Sequence, residues 1–188
     1  MVDAKQLLID SDAFLQGHFL LSSGKHSDGY VQCAKLLMHP DKAESILSIV
    51  ADKVKDLNAD VVIGPAMGGI IVSYELGRQL SLPAMFTERE NDIMTLRRGF
   101  TVSPGQRVLI AEDVVTTGKS SLETIKALED YGVEVVGLAC MVNRSGLNKV
   151  DEYPIYSAID LDIQTFDEDC PLCNEGVELV KPGSRKKF

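Results

Sequence analysis

The sequence predicts an α/β protein with an open, mostly parallel, twisted sheet flanked by helices. Two observations predict this fold. Short apolar and β-branched runs alternate with segments of helical periodicity, and the order strand, helix, strand recurs three times. Because no linker or shift in composition divides the chain, residues 1–188 are expected to form a single domain. In sheets of this kind, ligands bind beyond the carboxyl ends of the strands.

The first half of the chain supplies the opening elements of that pattern. An amphipathic start near residues 3–16 comes before a helix at 40–58, whose apolar residues recur at helical spacing. The run VVIG at 61–64 is a short β-branched strand, and the pattern at 69–80 is a second helix. These segments form the first strand and helix pair of the sheet.

The second half continues the alternation after a hairpin. PAMFTE and IMTLRRGFTV are two extended segments joined by a polar turn, which predicts a hairpin within 83–102. RVLIAED at 107–113 is a fully apolar strand that ends in two carboxylates. A helix at 120–132 and a buried strand at 133–143 follow it. The first forty residues and the tail after Leu161 are expected to be additions to this core.

Charge and composition exclude several classes of function. A formal net charge of -9 disfavours a nucleic-acid-binding surface. The start MVDAKQLLIDSDAF is acidic where a signal peptide needs basic residues, and this favours a cytoplasmic protein. The longest apolar stretch, at 61–72, is about half of the roughly 20 residues that span a membrane. We therefore expect neither a nucleic-acid nor a membrane partner.

The segment AEDVVTTGKSS at 111–121 carries the most specific pattern. It ends like a P-loop, but the spacing of that motif requires glycine at position 113, where this chain has Asp113. An aspartate there removes the backbone freedom of the loop and adds negative charge beside a triphosphate. The segment is therefore not interpreted as a P-loop.

A different chemistry suits the same segment. A turn of hydroxyl residues and glycine into a helix is an anion site that fits a phosphate monoester. Glu112 and Asp113 can accept hydrogen bonds from vicinal hydroxyls, help to hold hydrated Mg²⁺ and favour nearby positive charge. A ribose 5-phosphate satisfies both halves. The alternative, a solvated strand end followed by an ordinary helix cap, is less favoured because the strand is apolar and central.

These residues carry a family resemblance that covers most of the chain. AEDVVTTGKS resembles the 5-phosphoribosyl-1-pyrophosphate (PRPP) motif of the type I phosphoribosyltransferases. HFLLSSGKHSDGYVQ at 18–32 and VNRSG at 142–146 are similar to segments of the orotate phosphoribosyltransferase family, and GPAMGG at 64–69 is similar to a pyrophosphate loop. The resemblance implies the fold of that family, with residues 1–40 and parts of the C-terminal segment forming a small hood over the base.

The resemblance also implies roles for particular residues. Glu112 and Asp113 would be catalytic and would contact the ribose, while Thr116 and Arg144 would bind orotate. The pyrophosphate loop would be formed by Ala66, Met67 and Gly68. PRPP would be bound by Glu112, Asp113, Val114, Val115, Thr116, Thr117, Gly118, Lys119, Ser120 and Arg89. Mg²⁺ would arrive with PRPP, without a direct protein ligand, and a water bridge to Asp113 is one arrangement for it.

Two of these assignments have simpler alternatives. Arg144 would be a surface residue after a strand if it lacked its motif, although a guanidinium suits a planar carboxylate such as that of orotate. The GPAMGG segment would serve equally well as a tight turn. The segment at 87–100 keeps Arg89 before an acidic turn, and Arg97 and Arg98 are alternative cations for the mobile loop that closes over PRPP in many relatives.

The remaining pattern is CPLC at 170–173. One Cys-x-x-Cys is half of a zinc site, and neither the other two cysteines nor the three histidines have matching spacing. A reduced structural pair is favoured over a four-sulfur site shared between two chains. The four cysteines are too few and too scattered for a disulfide scaffold.

The expected function is transfer of the 5-phosphoribosyl group from PRPP to orotate, which gives orotidine 5-phosphate and pyrophosphate in pyrimidine synthesis. Two alternatives stay open. One is a phosphoribosyltransferase for another base, which needs no arginine for a carboxylate. The other is a regulator that senses PRPP and binds nucleic acid, and it would need a basic face. A homodimer is implied by the resemblance alone.

Overall fold

A computed structural model describes residues 2–21, 23–167 and 169–182. The helices are α1 (Ala4–Ile9), α2 (Cys33–Leu37), α3 (Pro40–Val54), α4 (Gly68–Leu80), α5 (Lys119–Glu129) and α6 (Pro171–Asn174). The strands are β1 (Phe14–Leu20), β2 (His26–Val31), β3 (Val61–Pro65), β4 (Ala84–Glu90), β5 (Ile93–Leu96), β6 (Arg107–Val115), β7 (Glu134–Asn143), β8 (Lys149–Val150), β9 (Tyr153–Asp160), β10 (Thr165–Phe166) and β11 (Leu179–Val180).

The main sheet has seven strands in the order β5-β4-β3-β6-β7-β9-β8. The five central strands run parallel to one another, and the edge strands β5 and β8 are antiparallel to their neighbours. The chain passes from β3 to β4 on one side and returns to β6 on the other. At such a reversal of strand order, α/β sheets have a crevice where ligands bind. The topology confirms the predicted fold class, and the antiparallel pair β4 and β5 confirms the predicted hairpin.

Helices cover both faces of the main sheet. Alternate side chains of β3 and β6 point to opposite faces, because the side-chain period of a strand is two. Val62, Leu109 and Ala111 pack in a cluster with α3 and α4, whereas Ile63 and Ile110 pack with α5 on the opposite face. With both faces buried, these strands are continuously apolar, as a parallel sheet requires.

A second, small sheet joins the two ends of the chain. Its order is β10-β2-β1-β11, so two N-terminal strands are flanked by two short strands of the C-terminal segment. His18 and Phe19 of β1 pair with Leu179 and Val180 of β11, and Thr165 of β10 pairs with Ser27 of β2. We call these four strands, together with residues 167 and 169–178 between β10 and β11, the hood.

The amphipathic start near 3–16 is helical only as far as Ile9. There α1 ends, Asp12 adopts a left-handed φ of 50°, and the chain enters β1. Asp10, Ser11 and Asp12 form this turn because short polar side chains favour turns over helix interiors. The helix predicted at 40–58 ends at Val54 and continues as a short 3₁₀ turn, Lys55–Leu57. Among the described residues, no helix has the length and apolarity that a membrane crossing requires.

Candidate active site

The predicted site residues follow the carboxyl ends of four neighbouring strands. Residues 66–68 follow β3, Arg89 lies near the end of β4, the acidic pair lies in β6, and Arg144 follows β7. Parallel strands end at the same edge of a sheet, so segments distant in sequence meet there. The fold therefore places at one edge the residues that the motifs singled out separately.

The acidic pair is buried in the last part of β6. Glu112 is 8% exposed, and its carboxylate accepts a hydrogen bond from the Asp113 backbone N–H at 3.3 Å. Burial, together with the charge of Asp113, raises the pKa of Glu112 to about 9. Burial also raises the pKa of Asp113 above its ordinary value. Buried acids held without a cation among the described residues are typical of sites that bind a charged ligand or a hydroxyl-rich one.

The turn after β6 surrounds a small polar cavity of about 170 Å³. The residues that line it are Glu112, Val114, Val115, Thr116, Thr117, Gly118, Lys119, Ser120 and Ser121. Gly118 has a left-handed φ of 72°, and a Cβ there would lie 2.6 Å from Val150. The glycine thus lets the chain turn tightly into α5, whose first backbone N–H groups border the cavity. The size and polarity of the cavity suit one phosphate group.

The loop between β3 and α4 lies against the acidic pair. A Cβ built on Gly68 would meet the Asp113 carboxylate at 2.4 Å, and a Cβ on Gly69 would meet the Ala111 carbonyl oxygen at 2.8 Å. Ala66 donates its backbone N–H to Thr87 of β4 at 2.7 Å, and Met67 is 81% exposed. Glycine is therefore required at positions 68 and 69, because the loop packs closely on β6. The loop backbone lies at the same edge of the sheet as the phosphate-sized cavity.

Arg144 lies in a larger cavity of about 940 Å³ next to the phosphate-sized one. Its backbone N–H donates to Val115 at 2.7 Å, which fixes the residue beside the end of β6. Its Nε is buried, with no hydrogen-bond partner among the described residues, and burial lowers the pKa of its guanidinium. An unpartnered buried donor is costly to the free protein, so it indicates a place for an acceptor on a ligand.

Thr116 and Thr117 line both cavities, which places them between the phosphate-sized space and Arg144. The structure thus brings together the two residues predicted to meet the base, Thr116 and Arg144. Other residues around the larger cavity were given no individual role from the sequence; they are Leu20, Leu21, Ser23, Tyr30, Gln32, Ile163, Thr165, Lys181 and Pro182. Three of them, Leu20, Tyr30 and Thr165, lie in strands of the hood, and those of the C-terminal segment carry no motif that could have identified them.

Arg89 stands apart from these cavities in its contacts. Its guanidinium donates to the Glu123 carboxylate on α5 and to the Asp92 backbone carbonyl oxygen, at 3.1 Å in the second case. Arg98 donates twice to Glu88, at 2.8 and 2.9 Å, and Arg97 lies 3.1 Å from Glu90. In the structure the three arginines of the hairpin are all paired with acidic side chains, so none points an unpaired cation at the cavities.

Comparison with known proteins adds an independent line of support. The phosphoribosyl transferase domain family matches residues 34–173. An orotate phosphoribosyltransferase from Caldicellulosiruptor bescii is 54% identical over 184 residues, which cover 97% of this chain and 96% of that protein. The match therefore spans nearly the whole of both chains.

Solved structures share the architecture. The crystal structure of orotate phosphoribosyltransferase from Aeropyrum pernix is 27% identical and covers 84% of this chain and 93% of its own, with a TM-score of 0.69. The structure of Leishmania donovani UMP synthase gives a TM-score of 0.72 at 24% identity, covering 84% of this chain and 36% of that longer one. At that identity the second likeness concerns the fold alone.

Proposed function

The chain belongs to the orotate phosphoribosyltransferase family, within the phosphoribosyl transferase domain family, and from this premise we propose that its strand-end site joins PRPP to orotate. The products are orotidine 5-phosphate and pyrophosphate, and the reaction is a step of pyrimidine (UMP) synthesis. The observation that carries the choice of base is the buried, unpartnered Nε of Arg144 in a cavity shared with Thr116.

We assign the phosphate-sized cavity to the 5-phosphate of PRPP. Its backbone N–H groups and hydroxyls, from Thr116 to Ser120, can donate to phosphate oxygens at the start of α5. Glu112 and Asp113 would accept hydrogen bonds from the two ribose hydroxyls, because they lie near the end of β6, where Glu112 borders this cavity. The loop at 66–68, packed on Asp113, would receive the pyrophosphate through its backbone.

The reaction itself asks little covalent chemistry of the protein. Displacement of pyrophosphate at the anomeric carbon by a ring nitrogen of orotate passes through a ribosyl species with cationic character. Positioning of the two substrates and the charge of the neighbouring carboxylates would then dominate catalysis. Ionised Glu112 or Asp113 would favour the positive charge that develops, and hydroxyl contacts would lower their raised pKa values toward ionisation.

Magnesium fits this donor set. Oxygen ligands and retained waters are what Mg²⁺ prefers, and the carboxylates of Glu112 and Asp113 are buried without a basic partner among the described residues. When bound with PRPP, Mg²⁺ would neutralise charge on the leaving pyrophosphate. Asp113 would hold it through a water bridge, since its carboxylate lies against the pyrophosphate loop.

The guanidinium of Arg144 would select the base. Orotate carries a planar carboxylate, and a guanidinium can donate two parallel hydrogen bonds to such a group. Tyr30 of the hood and Gln32, just after β2, line the same cavity. We therefore extend the proposal to the hood, which would cover the base while the main sheet holds PRPP.

A homodimer is also part of the proposal. Met67, Ile71 and Tyr74 are 81%, 45% and 69% exposed, and their spacing places Ile71 and Tyr74 on one face of α4, with Met67 just before its first residue. Apolar side chains exposed together on one helix face favour burial against a partner. Light scattering during gel filtration should give twice the chain mass for the wild type, and the chain mass for Tyr74→Glu if this face is the interface.

The function is tested with a panel of bases. Orotate, uracil, adenine, hypoxanthine and guanine are each mixed with PRPP and Mg²⁺, and pyrophosphate release is followed. We expect pyrophosphate release only in the mixture that contains orotate. Equal or faster release with another base would contradict the choice of orotate, and no release with any base would remove the enzymatic proposal. Activity should also stop with EDTA and return with Mg²⁺.

A further inference from the structure

Four potential metal ligands converge inside the hood. His18 Nε2, His26 Nδ1, Cys170 Sγ and Cys173 Sγ all lie within 4.8 Å of one another. His18 Nε2 lies 3.5 Å from Cys170 Sγ and 3.7 Å from Cys173 Sγ, and His26 Nδ1 lies 3.2 Å from Cys173 Sγ. The cluster is separate from the acidic pair and from Arg144, and the proposed reaction does not use it.

The distances match those between ligands of a tetrahedral ion. Zinc bonds of about 2.0–2.1 Å to nitrogen and 2.3 Å to sulfur place neighbouring nitrogen and sulfur ligands about 3.5 Å apart, and two nitrogens about 3.3 Å apart. The three nitrogen–sulfur distances, 3.5, 3.7 and 3.2 Å, fall around the first value. The two ring nitrogens are 2.8 Å apart and need to separate by about half an ångström to admit the ion.

A second contact orients His18 as a ligand. Its Nδ1 lies 2.9 Å from the backbone carbonyl oxygen of Val177, an acceptor, so this nitrogen carries the proton and donates it. Nε2 is then the nitrogen with a free lone pair, and it faces both sulfurs. Metal-ligating histidines almost always donate their other ring N–H in this way, which fixes tautomer and ring orientation. His18 is only 2% exposed, so its ring is held rather than free to rotate.

The cysteine segment is folded to present both sulfurs to the histidines. Cys170 precedes the single turn of α6, and the Cys173 N–H donates to the Cys170 carbonyl oxygen at 3.1 Å. Gly176, with a left-handed φ of 72°, donates to the Cys173 carbonyl oxygen at 3.1 Å and turns the chain back toward β1. This turn places the Val177 carbonyl oxygen on His18. The ligands and the contact that orients His18 thus belong to one compact unit.

We propose that His18, His26, Cys170 and Cys173 bind one Zn²⁺ ion within a single chain, as a closed structural site. Two sulfur and two nitrogen ligands in tetrahedral arrangement select zinc, and four protein ligands leave no position for a substrate. The interpretation of CPLC as a reduced pair without histidine partners is thereby replaced. Spacing along the chain missed the site because its two halves lie about 150 residues apart, His18 and Cys170 being separated by 152 positions.

The ion would fasten the C-terminal segment to the N-terminal strands. Strands β10 and β11 have only two residues each, and Leu179 and Val180 are 40% and 46% exposed, so little apolar burial holds them. Small units with a limited core often depend on a structural metal for their folding. Zinc would therefore fix the walls of the larger cavity that β1, β10 and the residues after β11 provide.

The first test measures metal in the full chain, purified without chelator and after removal of any histidine tag. Mass spectrometry of the metal content should find about one zinc per chain. Cys173→Ser and His26→Gln should each lose it, and these are suitable variants because neither residue is fully buried. His39→Gln and Cys140→Ala are the matched controls, one histidine and one cysteine outside the cluster, and both should keep the ion.

The second test replaces zinc with cobalt in the wild-type protein. Co²⁺ should give the intense ligand-field bands of a tetrahedral site and a thiolate-to-metal charge-transfer band, and Cys173→Ser should abolish or shift them. A reduced protein that takes up neither Zn²⁺ nor Co²⁺ would overturn the proposal. So would a Cys170–Cys173 disulfide in the purified protein without metal, or full metal content in both ligand variants.

The third test locates the structural effect. Removing zinc should lower the thermal midpoint by about 5–10 °C. Hydrogen exchange should accelerate in 14–31 and 165–180 and stay unchanged in 107–143, because the ligands lie only in the hood. Faster exchange spread evenly over the whole chain would contradict a site that fastens the hood. Since none of these measurements uses orotate or PRPP, their failure is distinguishable from failure of the proposed function.

Discussion

The strand-end site and the hood are built in opposite ways. The first takes its acidic pair and its phosphate-sized cavity from one continuous segment, Arg107 to Ser121, seated on a sheet with helices on both faces. The second is assembled from segments more than 130 positions apart, held by short strands and by the contacts of His18. A continuous segment gives a local motif, whereas an assembled one depends on the fold to bring its parts together.

The two regions also differ in how they tolerate polar burial. In β6 the burial of Glu112 and Asp113 opposes their ionisation, and the large core around them holds the strand in place regardless. In the hood, buried polar side chains are themselves the connections: Ser27 donates to the Gln164 carbonyl oxygen at 2.9 Å, and His18 contacts Val177. Changes in the first region should therefore affect chemistry, and changes in the second should affect structure.

The largest expected effect tests that distinction at the acidic pair. Glu112→Gln combined with Asp113→Asn keeps shape but removes both charges, and each lost charge-assisted contact costs about 1.5–3 kcal/mol. We expect kcat/KM for PRPP to fall by about 10³-fold or more, measured by pyrophosphate release. The fold should stay intact, because both side chains are accommodated by the core and not required by it.

Circular dichroism and thermal unfolding of the double variant supply the control. A folded double variant with unchanged turnover would remove the acidic pair from the mechanism. An unfolded one would show that the contrast between chemistry in β6 and structure in the hood is wrong.

The next effect sharpens the comparison at Arg144, where the two regions face each other across one cavity. Arg144→Ala removes a charge-assisted contact of roughly 1.5–3 kcal/mol, so the KM for orotate should rise about ten- to hundredfold. The KM for PRPP should stay nearly constant, since the phosphate-sized cavity lies in a separate segment. Arg144→Lys should restore only part of the loss, because an ammonium keeps the charge and lacks the planar fork. Equal losses for both substrates would mean that Arg144 does not select the base.

The sequence was sufficient for the parts of the molecule that are local. The apolar runs at 61–64 and 107–113, followed by helical periodicity, predict the parallel sheet, since strands buried on both faces have no polar positions. The acidic pair directly before a Thr-Thr-Gly turn predicts an anion site next to a hydroxyl-binding one. Both inferences depend on neighbours in the chain, which is why they could be made without coordinates.

The remainder depends on contacts across the fold. Nothing near Cys170 in the sequence indicates His18, because the bulge in β1 and the turn at Gly176 decide their meeting. Ile163, Thr165 and Lys181 line the larger cavity, and no motif in the sequence marks them. The early end of α1 at Ile9 reflects turn-forming residues that outweigh an apolar pattern. Distance in sequence limited the first two inferences, whereas the end of α1 was set by the local chemistry of the turn.

A third effect concerns the cost of the acidic pair in the ligand-free protein. Glu112 has an ordinary pKa of 4.5 and a folded-state pKa of about 9, so between these values the folded chain binds more protons than the unfolded chain. Stability should therefore fall as the pH rises through that window. We expect the thermal midpoint to drop by about 5 °C or more from about pH 5 to about pH 9.

Glu112→Gln is the matched variant for this measurement, because a neutral side chain cannot lose a proton. Its thermal midpoint should vary less over the same pH range and should exceed that of the wild type at the alkaline end. PRPP with Mg²⁺ should reduce the wild-type slope by favouring the ionised form. A wild-type midpoint that rises with pH would show that burial does not govern Glu112.

The smallest effect compares two arginines of the hairpin that differ in where their partners lie. Arg89 is paired with Glu123 on α5, the helix that begins at the phosphate-sized cavity, whereas Arg98 is paired with Glu88 within the hairpin. If Arg89 leaves Glu123 to contact PRPP, Arg89→Ala should lower kcat/KM for PRPP by about three- to tenfold, a loss of about 1 kcal/mol in transition-state binding. Arg98→Ala should leave it unchanged, and neither variant should shift the thermal midpoint much, because exposed ion pairs add little stability. If Arg98→Ala lowers kcat/KM for PRPP more than Arg89→Ala does, the loop cation is Arg98. PRPP would then be contacted by the arginine that pairs with Glu88, and not by the one that pairs with Glu123 of α5.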